Sequence, residues 1–140
     1  VIDRDAMPAH RHRVVVVDAD HRVRASLAGL LDLGEHLEVV GQAGDVGAAL
    51  AICQTTRPEV VVVDPRLPDV DGGLALITVL RRRVPGIRVL VIGWAGSLEH
   101  RLLSSEADAL VPKSLAPQEL VERIIELADA PPARPIQEAI

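Results

Sequence analysis

The sequence predicts an α/β three-layer sandwich, a parallel sheet covered by helices on both faces. Two observations carry that reading. Short runs of β-branched residues without polar alternation recur along the 140 residues, as strands buried on both faces require. Between them the apolar residues repeat at three and four, the spacing of helices with one buried stripe. Strand and helix alternate five times, an order that argues for parallel strands joined by right-handed crossovers.

The first strand is Val14–Val17, and the helix after it carries Val23, Leu27, Leu30 and Leu31. A strand at Leu37–Val40 precedes a helix with Val46, Leu50 and Cys53, which Asp45 can cap. Val60–Val63 follows Pro58, and Leu74, Ile77 and Leu80 mark the third helix. Val89–Ile92 follows Pro85, and Leu98, Leu102 and Leu103 mark the fourth. Last come Ala109–Val111 and a helix with Leu120, Ile124 and Leu127, where Pro117 suits the first turn and Ala116 is a poor cap. The expected organisation is a leader at 1–12, one domain at 13–128 and a proline-rich tail or linker at 129–140, extended because of its prolines.

Composition narrows the function. Hydrophobic residues make up 49% and charged residues 25%, ordinary for a globular domain. One Trp with no Tyr or Phe excludes a base-stacking platform for single-stranded nucleic acid. Lys plus Arg 15 against Asp plus Glu 20 gives a net charge of -5, the wrong sign for gripping a phosphate backbone, so direct nucleic-acid binding is not expected. A single cysteine, Cys53, excludes an intrachain disulfide and a Cys-rich zinc site and points to the cytoplasm. No apolar run approaches the roughly 18 residues that span a bilayer, so no membrane partner is expected.

In open parallel sheets, ligands gather beyond the carboxyl ends of the strands. Here those ends read Val17-Asp18-Ala19-Asp20, Val63-Asp64-Pro65 and Val111-Pro112-Lys113. If the first and third strands are neighbours, Asp18, Asp20 and Asp64 converge, and crowded carboxylates call for a cation. All-oxygen ligands suit Mg²⁺ rather than zinc. Lys113, the only lysine, lies at the same edge and can act as a point-charge clamp on a phosphate. Asp at a strand end also suits turns, so spacing alone supports an anion-plus-metal pocket and nothing finer.

The segments Val16-Val-Asp-Ala-Asp-His-Arg-Val-Arg24 and Pro58-Glu-Val-Val-Val-Val-Asp-Pro-Arg-Leu-Pro-Asp-Val-Asp-Gly72 resemble the receiver domains of bacterial two-component response regulators, in particular the LuxR-like subgroup. The resemblance runs from about Arg13 to Ala128, and its most specific piece is Asp64-x-x-Leu67-Pro68-x-x-Asp71-Gly72. It implies a flavodoxin-like sandwich with strand order 2-1-3-4-5. It also implies that Asp64 accepts a phosphoryl group from a sensor histidine kinase for relay to an output module or partner. Asp18, Asp64 and the main-chain carbonyl of Arg66 would hold Mg²⁺, and Lys113 would grip a phosphoryl oxygen. Asp71 and Gly72 would shape the turn into the third helix. No turnover enzyme is implied, only self-phosphoryl transfer and autodephosphorylation.

Three positions depart from the family pattern. Ala19 replaces the second acid, which weakens or abolishes metal binding unless Asp20 swings in. Gly93 replaces the hydroxyl residue at the end of strand four, and Leu110 replaces the aromatic switch on strand five. Trp94 stands where the family has a small residue, and either occludes the site or packs on its loop. The Arg66 side chain is a candidate to pair with a carboxylate in place of metal. These departures keep an alternative open, an atypical pseudo-receiver acting as a phosphorylation-independent interaction module. A flavodoxin-like cofactor binder is disfavoured, because the carboxylates of Asp18-Ala-Asp-His-Arg would repel a cofactor phosphate.

The resemblance further implies partner docking, including a homodimer, on the face of the fourth helix, fifth strand and fifth helix, with Leu98, Leu102 and Val121 as test positions. A DNA-binding output domain does not follow within the five residues after Pro135, so the expectation is either a regulator cut at its linker or a stand-alone receiver. Gly41 to Gly47 lacks the second glycine of a dinucleotide fingerprint. Arg81-Arg82-Arg83 reads as a solvated helix end, Cys53 as a small core residue. The five histidines share no helix-face spacing, so metal ligation by them is not expected.

Overall fold

The structure, a computed structural model, describes residues 10–93 and 106–131. Five strands and four helices lie within them: β1 (His12–Val17), α1 (His21–Asp32), β2 (Leu37–Ala43), α2 (Val46–Thr56), β3 (Val60–Val63), α3 (Val70–Arg83), β4 (Arg88–Gly93), β5 (Ala109–Pro112) and α4 (Pro117–Asp129). The helix expected around Leu98, Leu102 and Leu103 lies outside the described residues, so α4 is the fifth helix of the sequence pattern. The strands form one parallel sheet of order β2-β1-β3-β4-β5.

The valine runs are unalternating because both faces of the sheet are covered. Val15, Val17, Val61, Val63, Val89 and Val91 pack with Ala49, Cys53, Leu76 and Leu80 of α2 and α3. Their neighbours Val14, Val16, Val60, Val62 and Leu90 pack on the opposite face with Ala28 and Leu31 of α1 and Leu120 and Ile124 of α4. Period-two alternation sends successive residues to opposite cores. Strand β2, at the sheet edge, runs three residues past the predicted Val40 and carries a register shift opposite Val14/Val15.

Local chemistry sets the helix starts. Asp20, Asp45 and Asp69 cap α1, α2 and α3 through their side chains, whereas Ala116 makes no side-chain cap and Pro117 opens α4. Into α3 the chain comes so close that a Cβ on Gly72 would sit 1.8 Å from the Leu67 carbonyl oxygen, and one on Gly73 would sit 2.2 Å from that of Pro65. Only glycine allows this turn to pack behind Asp64.

Two expectations need correction. Arg81 is not a solvated helix end: it donates to the Glu106 carbonyl at 2.7 Å and pairs with Asp108 at 2.9 Å, tying α3 to the approach to β5. Val121, named as a docking position, is half-buried and packs against the α1/α4 core. His10 and Arg11, read as leader, are anchored, Arg11 by bonds to the Gly34 and Leu37 carbonyls and His10 by Glu59. No helix among the described residues is long and apolar enough to cross a membrane.

Candidate functional site: an acid pair and a lysine at the sheet's carboxyl edge

β1 and β3 are neighbours with Val17 opposite Val63, so the next residue of each, Asp18 and Asp64, arrives at the same place. Both ends remain tied to the sheet: the Asp64 amide donates to the Val17 carbonyl at 2.9 Å and the Asp18 amide to that of Ala43 at 3.1 Å. This is the point where strand order reverses, the expected location for a ligand.

Asp18 and Asp64 are the buried charged residues of the described chain, 7% and 8% exposed. Lys113, directly after β5, reaches across the end of β4 to place Nζ 2.5 Å from Asp64 Oδ2. The other oxygen, Oδ1, accepts the Arg66 amide at 3.1 Å. Asp18 Oδ1 accepts the Asp20 amide at 2.8 Å. Burial pushes the Asp18 carboxyl above its ordinary range; the Asp20 amide opposes this, Asp64 reinforces it and Lys113 opposes it. Among the described residues, Lys113 is the cation shown acting on both carboxylates.

Asp20 does not converge with the other two. Its Oδ1 accepts the amides of Arg22 at 2.9 Å and Val23 at 3.1 Å. The Val23 bond, opposed by desolvation and aided by the Arg22 bond, holds its carboxyl below the ordinary range. Among the described residues, Asp18, Asp20 and Asp64 do not bring three ligating atoms within 4.8 Å of one another. Helix capping has claimed the residue that spacing assigned to metal.

Gly93 ends β4 opposite Pro112 and is buried. A Cβ there would meet only ordinary contacts, Pro65 at 3.9 Å and Val91 at 4.0 Å. Leu110, opposite Val91, packs half-buried on the α2/α3 side. Arg66 is exposed and engaged, and Trp94 lies outside the described residues.

Sequence reasoning missed Arg24, which donates to the Asp18 carbonyl at 2.7 Å and fixes the β1–α1 loop. Its position one turn into α1 was the available signal. Also missed was a cleft of about 400 Å³ that takes in Asp18, Asp64 and Lys113 and continues between α1 and α4 along Leu27, Leu30 and Val121. Cys53 is fully buried, its thiol pushed up to about 12 by desolvation, which makes it an inert core residue.

Comparison with known proteins places this arrangement among its relatives. The family described as response regulator receiver domain matches residues 14–125. The DNA-binding transcriptional activator DevR/DosR of Mycobacterium tuberculosis is 36% identical over 114 residues, covering 80% of this chain and 52% of the relative. The response regulator GacA of Pseudomonas aeruginosa is 32% identical over 114 residues, covering 80% and 53%. The chain thus spans about half the length of these curated relatives. In three dimensions, the signal receiver domain of the response regulator NarL from Mycobacterium tuberculosis superposes with a TM-score of 0.76 at 26% identity, covering 88% of this chain and 100% of that one.

Proposed function

The chain belongs to the response regulator receiver domain family, and on that premise we propose that Asp64 accepts a phosphoryl group from the phosphohistidine of a sensor histidine kinase, for relay to an output module or partner. The contact between Lys113 Nζ and Asp64 Oδ2 at 2.5 Å supports this most directly. In the transfer, a carboxylate oxygen of Asp64 bonds to phosphorus while the phosphorus–nitrogen bond breaks, and its electron pair returns to the kinase imidazole. An anion attacking an anion needs positive charge at the site. Lys113 brings a full charge and the Arg66 amide a partial one, both already at the Asp64 carboxylate.

The proposed donors, the carboxylates of Asp18 and Asp64 in the pocket with the main-chain carbonyl of Arg66, are hard oxygens of the kind Mg²⁺ prefers. Ala19 adds none and Asp20 is held by its cap, so the proposed affinity is low. When bound, Mg²⁺ supplies charge neutralisation to the acceptor and phosphoryl oxygens. We place the protein in the cytoplasm, and its pathway in transcription regulation, the latter supported by relatives named as transcriptional regulators.

The test is intact-mass measurement after incubation with a small acyl phosphate and Mg²⁺, with Asp64→Asn as control. The expected result is one added phosphoryl group that the variant lacks. In parallel, the fluorescence of the single tryptophan, Trp94, reports titration with Mg²⁺ and beryllofluoride. No adduct and no fluorescence change would overturn the proposal and leave the phosphorylation-independent module.

A further inference from the structure

At the opposite, amino-terminal edge of the sheet, three groups with metal-ligating chemistry meet. His10 Nε2 lies 3.3 Å from Glu59 Oε2, and His12 Nδ1 lies 2.6 Å from Glu59 Oε1. All three ligating atoms fall within 4.8 Å of one another, and they are the described residues of which this is true. We infer that His10, His12 and Glu59 form a binding site for a divalent transition metal, Zn²⁺ foremost, separate from the phosphoryl site.

The sequence places these groups by strand geometry. His10 and His12 sit two apart in the extended segment that enters β1, so their side chains leave on the same side. Glu59 immediately precedes β3, and its amide bonds the Arg13 carbonyl at 2.9 Å, which locks it beside the histidine pair. The sequence expectation that the histidines do not ligate metal considered helix faces only; the present proposal rests on strand spacing instead.

Ligands at about 2.0–2.1 Å from zinc stand roughly 3.3 Å apart in a tetrahedral centre; the His10–Glu59 separation matches this, and the direct His12–Glu59 contact at 2.6 Å opens by several tenths of an ångström when a cation enters. His12 also carries the outer support that ligating histidines usually have: its Nε2 lies 3.2 Å from Asp129 Oδ1, at the end of α4. With Nε2 near Asp129 and Nδ1 turned to Glu59, the ring is oriented so that Nδ1 can ligate a cation shared with the Glu59 carboxylate. Nitrogen and oxygen donors together favour zinc over the harder Mg²⁺, and the side chain of His10, 68% exposed, leaves an entry path. The guanidiniums of Arg13 and Arg88 are turned to the carbonyls of Arg57 and Ala130. Metal here would clamp the entry to β1, the start of β3 and the end of α4 together.

The experiment is a competition titration of the metal-free chain with Zn²⁺ against a chromophoric chelator, with thermal melts alongside and Co²⁺ as a visible-absorption probe of coordination. One equivalent of Zn²⁺ is expected to bind and raise the melting temperature. His10→Ala, at an exposed side chain that folding does not need, is expected to weaken binding at least tenfold and abolish the Co²⁺ bands; Asp129→Asn should weaken it about tenfold. Ala19→Asp, at the far edge of the sheet, should leave the Zn²⁺ affinity unchanged. Absence of stoichiometric Zn²⁺ uptake, or uptake that His10→Ala and Glu59→Gln leave unchanged, would overturn the proposal. The second outcome would assign the metal to another histidine, such as His21 or His36.

Discussion

Lys113 and Asp64 touch at 2.5 Å although β4 lies between the strands that carry them. The lysine therefore spans a whole strand to neutralise the buried acid. With Asp64 8% exposed and Asp18 beside it, the ammonium stabilises the apo pocket as well as preparing it for an anion.

Lys113→Met is expected to lower unfolding free energy by about 1–2 kcal/mol, less than the roughly 3–5 kcal/mol of a fully buried pair because of residual solvent screening. Asp64→Asn in the same chain should recover part of the loss, with a coupling of at least about 0.5 kcal/mol in urea melts. Additive losses would show that the contact does not contribute.

The raised Asp18 carboxyl sets a pH dependence. Burial is its first cause, with Asp64 adding to it. Between the ordinary value of 3.8 and the higher folded one, the folded state binds more protons than the unfolded, so this group's contribution to stability falls as pH rises through that window. At neutral pH without Mg²⁺, Asp18→Asn should stabilise by about 1 kcal/mol, the screened energy of two like charges a few ångströms apart. The gain should vanish below the unfolded value, and thermal melts across pH would detect it.

Asp20 and Ala19 should separate capping from metal binding. Asp20→Ala is expected to cost about 1 kcal/mol through the lost cap, and Asp20→Asn little. Neither should change Mg²⁺ affinity much. Ala19→Asp, at an exposed position, should raise that affinity by about tenfold through an added carboxylate. Calorimetric titration measures both, and a large loss for Asp20→Asn would make Asp20 a ligand after all.

Two glycines should respond in opposite directions. Gly93→Ala finds only ordinary contacts at 3.9–4.0 Å and should stabilise by about 0.5–1 kcal/mol by removing strand glycine entropy. Gly72→Ala would drive Cβ to 1.8 Å from the Leu67 carbonyl and should cost at least about 2–3 kcal/mol. Space at Gly93 also means that Gly93→Ser is accommodated, so a prolonged phosphoryl lifetime in that variant would mark the absent hydroxyl as the functional deficit.

Some of this was written in local pattern. Four consecutive valines at 60–63 can be buried on both faces only as a central strand, and Asp45 with Val46 marks a helix start without knowledge of the fold. Asp18, Asp64 and Lys113 were legible because each ends a recognisable strand. Asp20 was not, since its two possible tasks, cap and ligand, use the same carboxylate, and only the turn of the backbone after Asp18 decides which amides reach it. Likewise the cap of α3 is Asp69, with Asp71 in the first turn.

The sequence alone determined the alternation of strands and helices and the carboxyl ends that carry chemistry, because hydrophobic period and capping are properties of neighbours in the chain. Tertiary structure decided which distant groups meet. Parallel pairing of β1 with β3 brings His12 beside Glu59 across 47 positions at one edge and Asp18 beside Asp64 at the other. Arg81 reaches Asp108 across 27. These contacts follow from strand order and register, which no local window of residues contains.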